Sequence, residues 1–283
     1  MQVWAVTFDV RAVATLNESY DRALALVDHE SQQRIQRYYH QVDRFRGLIG
    51  RLLPRVLLKE RGVPPHRMAF SITETGKPFI TTDHLSHPIG YSITHDSGVI
   101  AMAFASGVDL HPDPPAYRVG VDIMRLQLPK RETFAGFVDI VGDQLTASER
   151  ELLLPSPPSP PLPPSEALRR FYLIWTLKES FTKALGMGLG FEFRRIEYDV
   201  VQDIVRIDGV VPRGWEFIRF EVENKLGDGQ DSEMYVGVSA RYVGEDGQQQ
   251  EECRVQSPDV RSWLKVYDAT EFIQRAIEEL SVE

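Results

Sequence analysis

A run of prolines restricts the fold more than any other feature of this sequence. Seven of the ten residues from Pro155 to Pro164 are proline. Because proline lacks a backbone N–H and its ring fixes φ, this segment can form neither a helix interior nor the middle of a sheet. We expect an extended, solvated loop of the polyproline type. Such a loop is either a tolerated insertion or a docking site for a partner, and its composition favours the insertion.

The hydrophobic periodicity on both sides of this loop predicts a mixture of helices and short strands. Helical spacing predicts helices over residues 18–40, 43–61, 148–154, 166–185 and 268–281. Pro54 is expected to kink the second of them or end it early. Alternating or short apolar runs predict strands at 69–72, 89–94, 99–105, 118–124, 191–209, 215–223 and 233–243. This order predicts an α+β fold with two halves, residues 1–112 and 113–283, the second carrying the insertion at 155–164.

Composition narrows the class of protein. Hydrophobic residues make up 42% of the 283 residues and charged residues 26%, which is ordinary for a folded globular protein. No apolar run approaches the roughly 20 residues that a membrane helix needs, and the N-terminal segment lacks the pattern of a cleaved signal. The single cysteine, Cys253, excludes an internal disulfide and a cysteine-rich zinc site. We therefore expect a cytoplasmic protein without membrane association.

The charge of the chain is unevenly distributed. The formal net charge is −9, which argues against general nucleic-acid binding. Residues 31–70 nevertheless contain nine lysines and arginines against two acids, a local charge of +7 that leaves −16 for the rest. This basic stretch indicates a bound polyanion or an acidic partner, unless it is simply the solvated face of a helix.

The segment with the clearest chemical pattern lies after the proline-rich loop. On a helix, Trp175, Glu179 and Lys183 share one face, and Lys178 sits beside it. An acid between two lysines, on a helix that ends in a glycine-rich turn at Gly186, can hold a metal and a phosphate together. The alternative is an exposed Glu–Lys pair on an ordinary helix.

Two further positions point to chemistry. Asp122 lies on the strand 118–124, where Val119, Val121 and Ile123 face one way and Asp122 the other. A buried aspartate needs an ionic partner or a metal, although at a strand end it can instead accept backbone hydrogen bonds. His95 follows the strand 89–94 and could donate to a phosphate, although a histidine seen alone is more often structural.

These pieces occur in a characteristic order. Gly76-Lys77-Pro78 is followed by His95, then Gly120-Val-Asp122-Ile, then Trp175-x-x-Lys178-Glu179-x-x-x-Lys183-x-x-Gly186-x-Gly188-Leu189. Over roughly residues 30–200 the sequence resembles the 4′-phosphopantetheinyl transferases. It is similar to their larger, single-chain, surfactin-synthetase-activating type, including the eukaryotic members, whose two halves form a pseudo-dimer. The resemblance implies transfer of 4′-phosphopantetheine from coenzyme A to a serine of an acyl or peptidyl carrier protein, with release of adenosine 3′,5′-bisphosphate.

The resemblance also implies roles for individual residues. Asp122 and Glu179 would bind Mg²⁺, Glu179 would take the proton of the carrier serine, and Lys183 would neutralise phosphate charge. Many relatives carry a glutamate where this chain has Met124, so we expect Asp96 to be the third metal ligand. Coenzyme A would be contacted by a further set: Gly76, Lys77, Pro78, His95, Lys178 and one of the arginines Arg44, Arg46 and Arg51, the arginine joining His95 on the 3′-phosphate.

Three functional hypotheses follow. The first is an active, monomeric phosphopantetheinyl transferase that requires Mg²⁺. The second is a coenzyme A-binding protein that has lost catalysis, which the departure at Met124 makes worth testing. The third is an interaction module organised by the proline-rich loop, which would not require Asp122 or Glu179.

Overall fold

The computed structural model describes residues 1–13, 17–187, 190–227, 229–244, 253–257 and 263–281. Over these residues the helices are α1 (Asn17–Leu24), α2 (His29–Gln36), α3 (Gln41–Glu60), α4 (Phe134–Ile140), α5 (Ala147–Leu153), α6 (Pro164–Leu185) and α7 (Ala269–Leu280). The strands are β1 (Gln2–Thr7), β2 (Phe70–Ile72), β3 (Pro78–Ile80), β4 (Ile89–Asp96), β5 (Val99–Ser106), β6 (Val119–Arg125), β7 (Ile196–Asp199), β8 (Ile204–Ile207), β9 (Trp215–Leu226), β10 (Asp231–Tyr242), β11 (Arg254–Gln256) and β12 (Leu264–Asp268).

Two four-stranded sheets pack face to face and carry helices on their outer sides. The first sheet has the strand order β12-β1-β5-β4 and the second the order β11-β9-β10-β6. Apolar side chains from both inner faces, among them Val3, Ala101, Val121 and Phe220, form a shared core. Helices α3 and α7 cover the first sheet, and α6 covers the second. The predicted α+β class is confirmed.

The last strand and helix belong with the first sheet. Strand β12 pairs in parallel with β1, from Leu264 opposite Val3 to Asp268 opposite Thr7. Helix α7 buries Phe272 in the core that α3 also lines. The C-terminal residues thus pack with the first sheet, a pairing between the two ends of the chain that leaves no local signal. The division into the halves 1–112 and 113–283 stays a prediction.

The N-terminal helices differ from their predicted bounds. The single helix predicted over 18–40 is two helices, because Asp28 adopts an extended backbone and its side chain caps α2 by accepting the Ser31 N–H at 2.8 Å. Pro54 does not end α3, which continues to Glu60 because the residues after it are buried against the sheet. Among the described helices, none has an apolar stretch long enough to cross a bilayer.

The proline-rich segment forms a loop, as predicted. Residues 155–163 contain no helix or strand, and α6 begins at Pro164. The loop is not extended throughout, since the Ser159 N–H donates to the Ser156 carbonyl at 3.1 Å in a turn. The Glu151 carboxylate accepts from the Ser156 backbone and hydroxyl and anchors the start of the loop to α5.

Candidate functional site

The approach of β6 to α6 creates the site. Gly120 makes that approach possible, because a Cβ at this position would lie 1.9 Å from the Ser180 carbonyl oxygen. Two residues further along the same face of β6, Asp122 points toward α6, as the alternation of the strand predicts. A glycine two positions before an aspartate on this strand is therefore a packing requirement of the site.

Asp122 is the centre of a small polar cluster. Its Oδ1 accepts from Lys183 Nζ at 2.6 Å and from Thr94 Oγ1 at 2.8 Å. Its Oδ2 is buried, and among the described residues it has no hydrogen-bond partner. A buried carboxylate oxygen without a partner is costly unless a ligand or ion satisfies it.

Glu179 lies beside this cluster, one helical turn before Lys183. Its carboxyl is half-buried, and burial raises its pKa, with the Asp122 charge adding to that effect and Lys183 opposing it. The two carboxylates open onto one cleft of about 290 Å³. The cleft is lined by Ile93, Thr94, His95, Asp122, Met124, Trp175, Glu179 and Lys183. The structure thus brings together the predicted catalytic residues Asp122, Glu179 and Lys183.

The donor set fits a hard cation that also binds substrate. Over the residues that the structure describes, no three His, Cys, Asp or Glu side chains are grouped so that they could hold a metal by themselves. Magnesium is often held by only one or two carboxylates, the remaining positions being filled by phosphate oxygens and water. Asp122, with its unpartnered Oδ2, and Glu179 satisfy that requirement.

Asp96 does not line this cleft. Its Oδ2 accepts the Arg125 backbone N–H at 2.7 Å, and its Oδ1 accepts from Ser97 Oγ at 3.3 Å. Its role as a third metal ligand stays a prediction, which requires the carboxylate to exchange one of these contacts for the metal.

His95 and Arg46 lie together at the mouth of the cleft. The imidazole of His95 is solvent-exposed at the end of β4, and partial desolvation together with the charges of Arg46 and Lys183 lowers its pKa. Arg46 donates twice to the Ser97 carbonyl and once to Asp43. Its guanidinium is therefore largely committed to protein acceptors.

The other two candidate arginines lie elsewhere on α3. Arg44 donates to the Tyr38 carbonyl at 2.8 Å. Arg51 lines a separate cavity of about 390 Å³ with Arg34 and Arg55, and β2 forms another wall through residues that include Phe70 and Ile72. Of these arginines Arg55 is buried, bound to Asp28 and placed over the Phe70 ring, whereas neither Arg34 nor Arg51 has an ion-pair partner within the described ranges.

Arg34 is missing from the site residues predicted by sequence. It belongs to the basic stretch, but it lies on α2, and only the packing of α2 against α3 places it beside Arg51. Charge density was the one available signal, and it could not separate this arginine from its neighbours.

Lys178 does not line the cleft. Its side chain is fully buried on the other side of α6, and the contact with coenzyme A that the resemblance implies stays a prediction. Its ammonium donates to Glu149 Oε2 at 2.6 Å and to the carbonyls of Gln144 and Phe193. Adjacent helix positions are about 100° apart, so Lys178 faces α5 and the 193–195 turn while Glu179 faces the cleft.

Lys77 also lies away from the carboxylates, and its predicted contact with coenzyme A stays a prediction. Its ammonium does not reach the cleft but donates to the carbonyls of Ala184 and Tyr117, at 2.5 and 2.7 Å. It thereby ties the turn between β2 and β3 to the C-terminal end of α6, beside Gly186, which adopts φ 72°. Burial lowers the pKa of Lys77 to about 7.

The rest of the Gly76-Lys77-Pro78 motif keeps its predicted role as a hypothesis. Gly76 provides the positive φ of the turn, and Pro78 pairs with Ile72, which lines the Arg34–Arg51 cavity. Gly188 and Leu189 of the glycine-rich motif lie outside the described residues.

Comparisons with known proteins identify the family of this chain. A model of the 4′-phosphopantetheinyl transferase superfamily matches residues 118–221, and a model of the N-terminal region of 4′-phosphopantetheinyl transferases matches residues 14–106. The 4′-phosphopantetheinyl transferase pptA of Paxillus involutus is 49% identical over 99% of this chain and 100% of its own length.

More distant relatives are also named as phosphopantetheinyl transferases. The L-aminoadipate-semialdehyde dehydrogenase-phosphopantetheinyl transferase of Mus musculus is 30% identical over 77% of this chain and 68% of its own length. The 4′-phosphopantetheinyl transferase of Bacillus subtilis is 30% identical over 67% and 72%. The first family model covers β6, which carries Asp122, and α6, which carries Glu179.

Proposed function

The chain belongs to the 4′-phosphopantetheinyl transferase superfamily, enzymes that move phosphopantetheine from coenzyme A to carrier proteins, and we propose that the Asp122–Glu179 cleft performs this transfer. One observation carries the proposal. Two carboxylates from different elements meet in one cleft beside a lysine, and one carboxylate oxygen is buried with no hydrogen-bond partner in the part of the chain that the structure describes.

The proposed step is a displacement at phosphorus. The hydroxyl oxygen of the carrier serine attacks the β-phosphorus of coenzyme A, and its proton passes to the Glu179 carboxylate. The bond to the bridging oxygen breaks, and adenosine 3′,5′-bisphosphate leaves with the electron pair. A phosphate leaving group has a low pKa, so positioning and charge neutralisation dominate the rate enhancement. In the free protein burial raises the pKa of Glu179, which makes its carboxylate a stronger base.

Charge neutralisation has two sources in this proposal. Asp122 and Glu179 would hold Mg²⁺, which supplies positive charge to the diphosphate when it is bound. Lys183, whose side chain is 31% exposed, would turn from Asp122 toward the phosphate that is attacked. In the free protein Lys183 pairs with Asp122 at 2.6 Å, so binding of substrate would replace this ion pair by a contact between Lys183 and the phosphate.

The adenosine end of coenzyme A would extend away from the carboxylates. His95 borders the cleft, and on α3 the chain offers Arg51 next to Arg34 with unpaired guanidinium groups among the described residues. We propose that Arg51, joined by Arg34, supplies the arginine contact to the 3′-phosphate. Guanidinium groups match phosphate oxygens in a bidentate geometry. Pro78 and Ile72 would form an apolar edge for the adenine beside them.

The finer expectations about assembly and location are proposals as well. A single chain contains both face-to-face sheets and all the site residues, which supports a monomer that needs no second copy. The free thiol of Cys253 is compatible with a reducing, cytoplasmic compartment.

The test uses the purified protein with coenzyme A, Mg²⁺ and an apo acyl carrier protein. The mass of the carrier should rise by one phosphopantetheine, and omission of Mg²⁺ or addition of EDTA should prevent the gain. Binding of coenzyme A without any gain in carrier mass would instead support the non-catalytic coenzyme A-binding protein. If the protein neither binds coenzyme A nor transfers phosphopantetheine, the result would support the third hypothesis, an interaction module organised by the proline-rich loop.

A further inference from the structure

The turn that joins β4 to β5 consists of Ser97 and Gly98 and lies at the border between the two sheets. Two predicted site residues, His95 and Asp96, come directly before it at the end of β4. Because His95 lines the cleft, the position of this turn fixes how far its imidazole lies from Asp122 and Glu179.

A buried hydroxyl from the opposite sheet holds this turn. Tyr235 on β10 is fully buried, and its hydroxyl oxygen accepts the Gly98 N–H at 3.0 Å. The same hydroxyl donates to Glu233 Oε2 at 2.7 Å. The other oxygen of Glu233 pairs with the Arg125 guanidinium at 2.9 Å. The Arg125 backbone N–H in turn donates to Asp96, so the chain of contacts returns to the turn.

The packing around Gly98 leaves this turn little room to move. A Cβ at Gly98 would lie 2.4 Å from Asn224 Nδ2 and 2.5 Å from the Phe8 carbonyl oxygen. The Phe8 N–H donates to the Gly98 carbonyl at 2.9 Å, and Arg46 holds the Ser97 carbonyl from α3. The Tyr235 hydroxyl is the contact by which the second sheet fixes the backbone of the turn directly.

We propose that Tyr235 is a positioning residue for phosphopantetheinyl transfer. Its hydroxyl, oriented by Glu233, anchors the Ser97–Gly98 turn and so sets the distance of His95 and Asp96 from the Asp122–Glu179 cleft. This inference rests on the proposed function, since it assigns His95 to coenzyme A. It explains why Tyr235 and Glu233 are buried and hydrogen-bonded to each other beside the apolar core between the two sheets.

The test compares Tyr235→Phe with Tyr198→Phe. Each change removes one hydroxyl from a fully buried tyrosine whose hydroxyl donates to a carboxylate at 2.7 Å, Glu233 in one case and Asp203 in the other. Both variants should lose thermal stability. Only Tyr235→Phe should speed amide exchange at Gly98. Only Tyr235→Phe should also reduce the preference for coenzyme A over dephospho-coenzyme A, by roughly two- to tenfold, which corresponds to the free energy of one hydrogen bond.

Two further readouts separate positioning from general destabilisation. Tyr235→Phe should raise the KM for coenzyme A and leave the KM for the carrier unchanged. Glu233→Gln retains an acceptor for the tyrosine hydroxyl and should show a smaller effect; if Tyr235→Phe does not fold, Glu233→Gln is compared with Tyr198→Phe in its place.

The inference is overturned if Tyr235→Phe matches Tyr198→Phe in ligand preference and in Gly98 exchange while the wild type transfers and prefers coenzyme A. Absence of transfer in the wild type would instead contradict the proposed function. The two failures are therefore distinguishable.

Discussion

The ammonium of Lys178 lies 2.6 Å from Oε2 of Glu149, and neither side chain is exposed to solvent. Glu149 also accepts the backbone N–H of Thr146 and that of Tyr198, so the pair joins α5, α6 and β7. Lys178, which is next in sequence to the proposed catalytic residue Glu179, thus has a structural role, and it fixes the rotation of the helix that presents Glu179.

Replacement of Lys178 by methionine should destabilise the fold without weakening coenzyme A binding. The change leaves the buried Glu149 carboxylate without its ionic partner, which should lower the free energy of unfolding by about 3–5 kcal/mol. Urea denaturation of Lys178→Met measures this. Glu149→Gln in the same chain should restore part of the loss, because it removes the stranded charge and keeps an acceptor.

A surface pair on the same helix provides the control for that experiment. Glu166 pairs with Arg170 four residues later and is partly exposed, so Glu166→Gln should cost less than about 1 kcal/mol. A large loss of coenzyme A affinity in a fully stable Lys178→Met would contradict the structural role and restore the sequence-based assignment.

The buried Lys77 predicts a pH dependence of stability. Its pKa is lowered to about 7 by burial, whereas an unfolded lysine titrates near 10.4. Between these values the unfolded chain binds the extra proton, so this group makes stability rise with pH from about 7 to 10, by at most roughly 1.4 kcal/mol per unit. Below pH 7 its full unfavourable contribution is present.

The comparison with Lys77→Met isolates this contribution. Unfolding free energies of the two proteins, measured from pH 6 to 9, should differ by an amount that changes with pH above 7 and is constant below it. A pH-independent difference would mean that Lys77 stays protonated in the folded state, held by the carbonyls of Ala184 and Tyr117.

Binding of the 3′-phosphate of coenzyme A should depend on Arg51 and His95 rather than on Arg44. Charge-assisted hydrogen bonds contribute about 1.5–3 kcal/mol each, so the loss of one should weaken coenzyme A binding by roughly ten- to a hundredfold. Calorimetric titration measures the affinities for coenzyme A and dephospho-coenzyme A. The difference between the two affinities should be smaller in Arg51→Ala and His95→Ala than in the wild type. Higher salt should reduce this difference in the wild type.

Arg44→Ala is the matched control on the same helix, since its guanidinium donates to the Tyr38 carbonyl outside the Arg34–Arg51 cavity. An equal loss of both ligands in every variant would place the 3′-phosphate elsewhere and assign the basic stretch to an acidic partner.

The proline-rich loop should be dispensable for transfer. Residues 157–161 are exposed, and the loop is anchored by Ser156 and by the start of α6 at Pro164. Replacement of residues 157–161 by glycine and serine at constant length should leave kcat/KM for an isolated carrier unchanged. A loss of transfer in a stable variant would support the loop as a docking site.

Sequence alone predicted the parts of the site that depend on local periodicity. Strand alternation placed Asp122 on the face opposite Val121, and helix periodicity placed Glu179 and Lys183 together. Local periodicity could not predict the positions of side chains that depend on long-range packing. Lys178 is buried by α5 and the 193–195 turn, and Arg34 reaches Arg51 only through the α2–α3 contact.

The same limit applies to the fold. The pairing of β12 with β1 joins chain ends that share no sequence pattern. The network of Tyr235, Glu233 and Arg125 gave no signal either. Tyr235 and Glu233 are neighbours on β10, but Arg125 comes from β6 and Gly98 from the other sheet, so only the packing brings them together.

The most direct test of the account is the transfer rate of Glu179→Gln, measured by the mass of the carrier protein under saturating coenzyme A and Mg²⁺. Loss of the carboxylate charge with retention of shape should reduce the rate by about 10²-fold or more. Asp122→Asn should have an effect of similar size, whereas Glu166→Gln on the same helix should transfer at the wild-type rate. Turnover near the wild-type rate in a folded Glu179→Gln would contradict the assignment of this cleft as the centre of transfer.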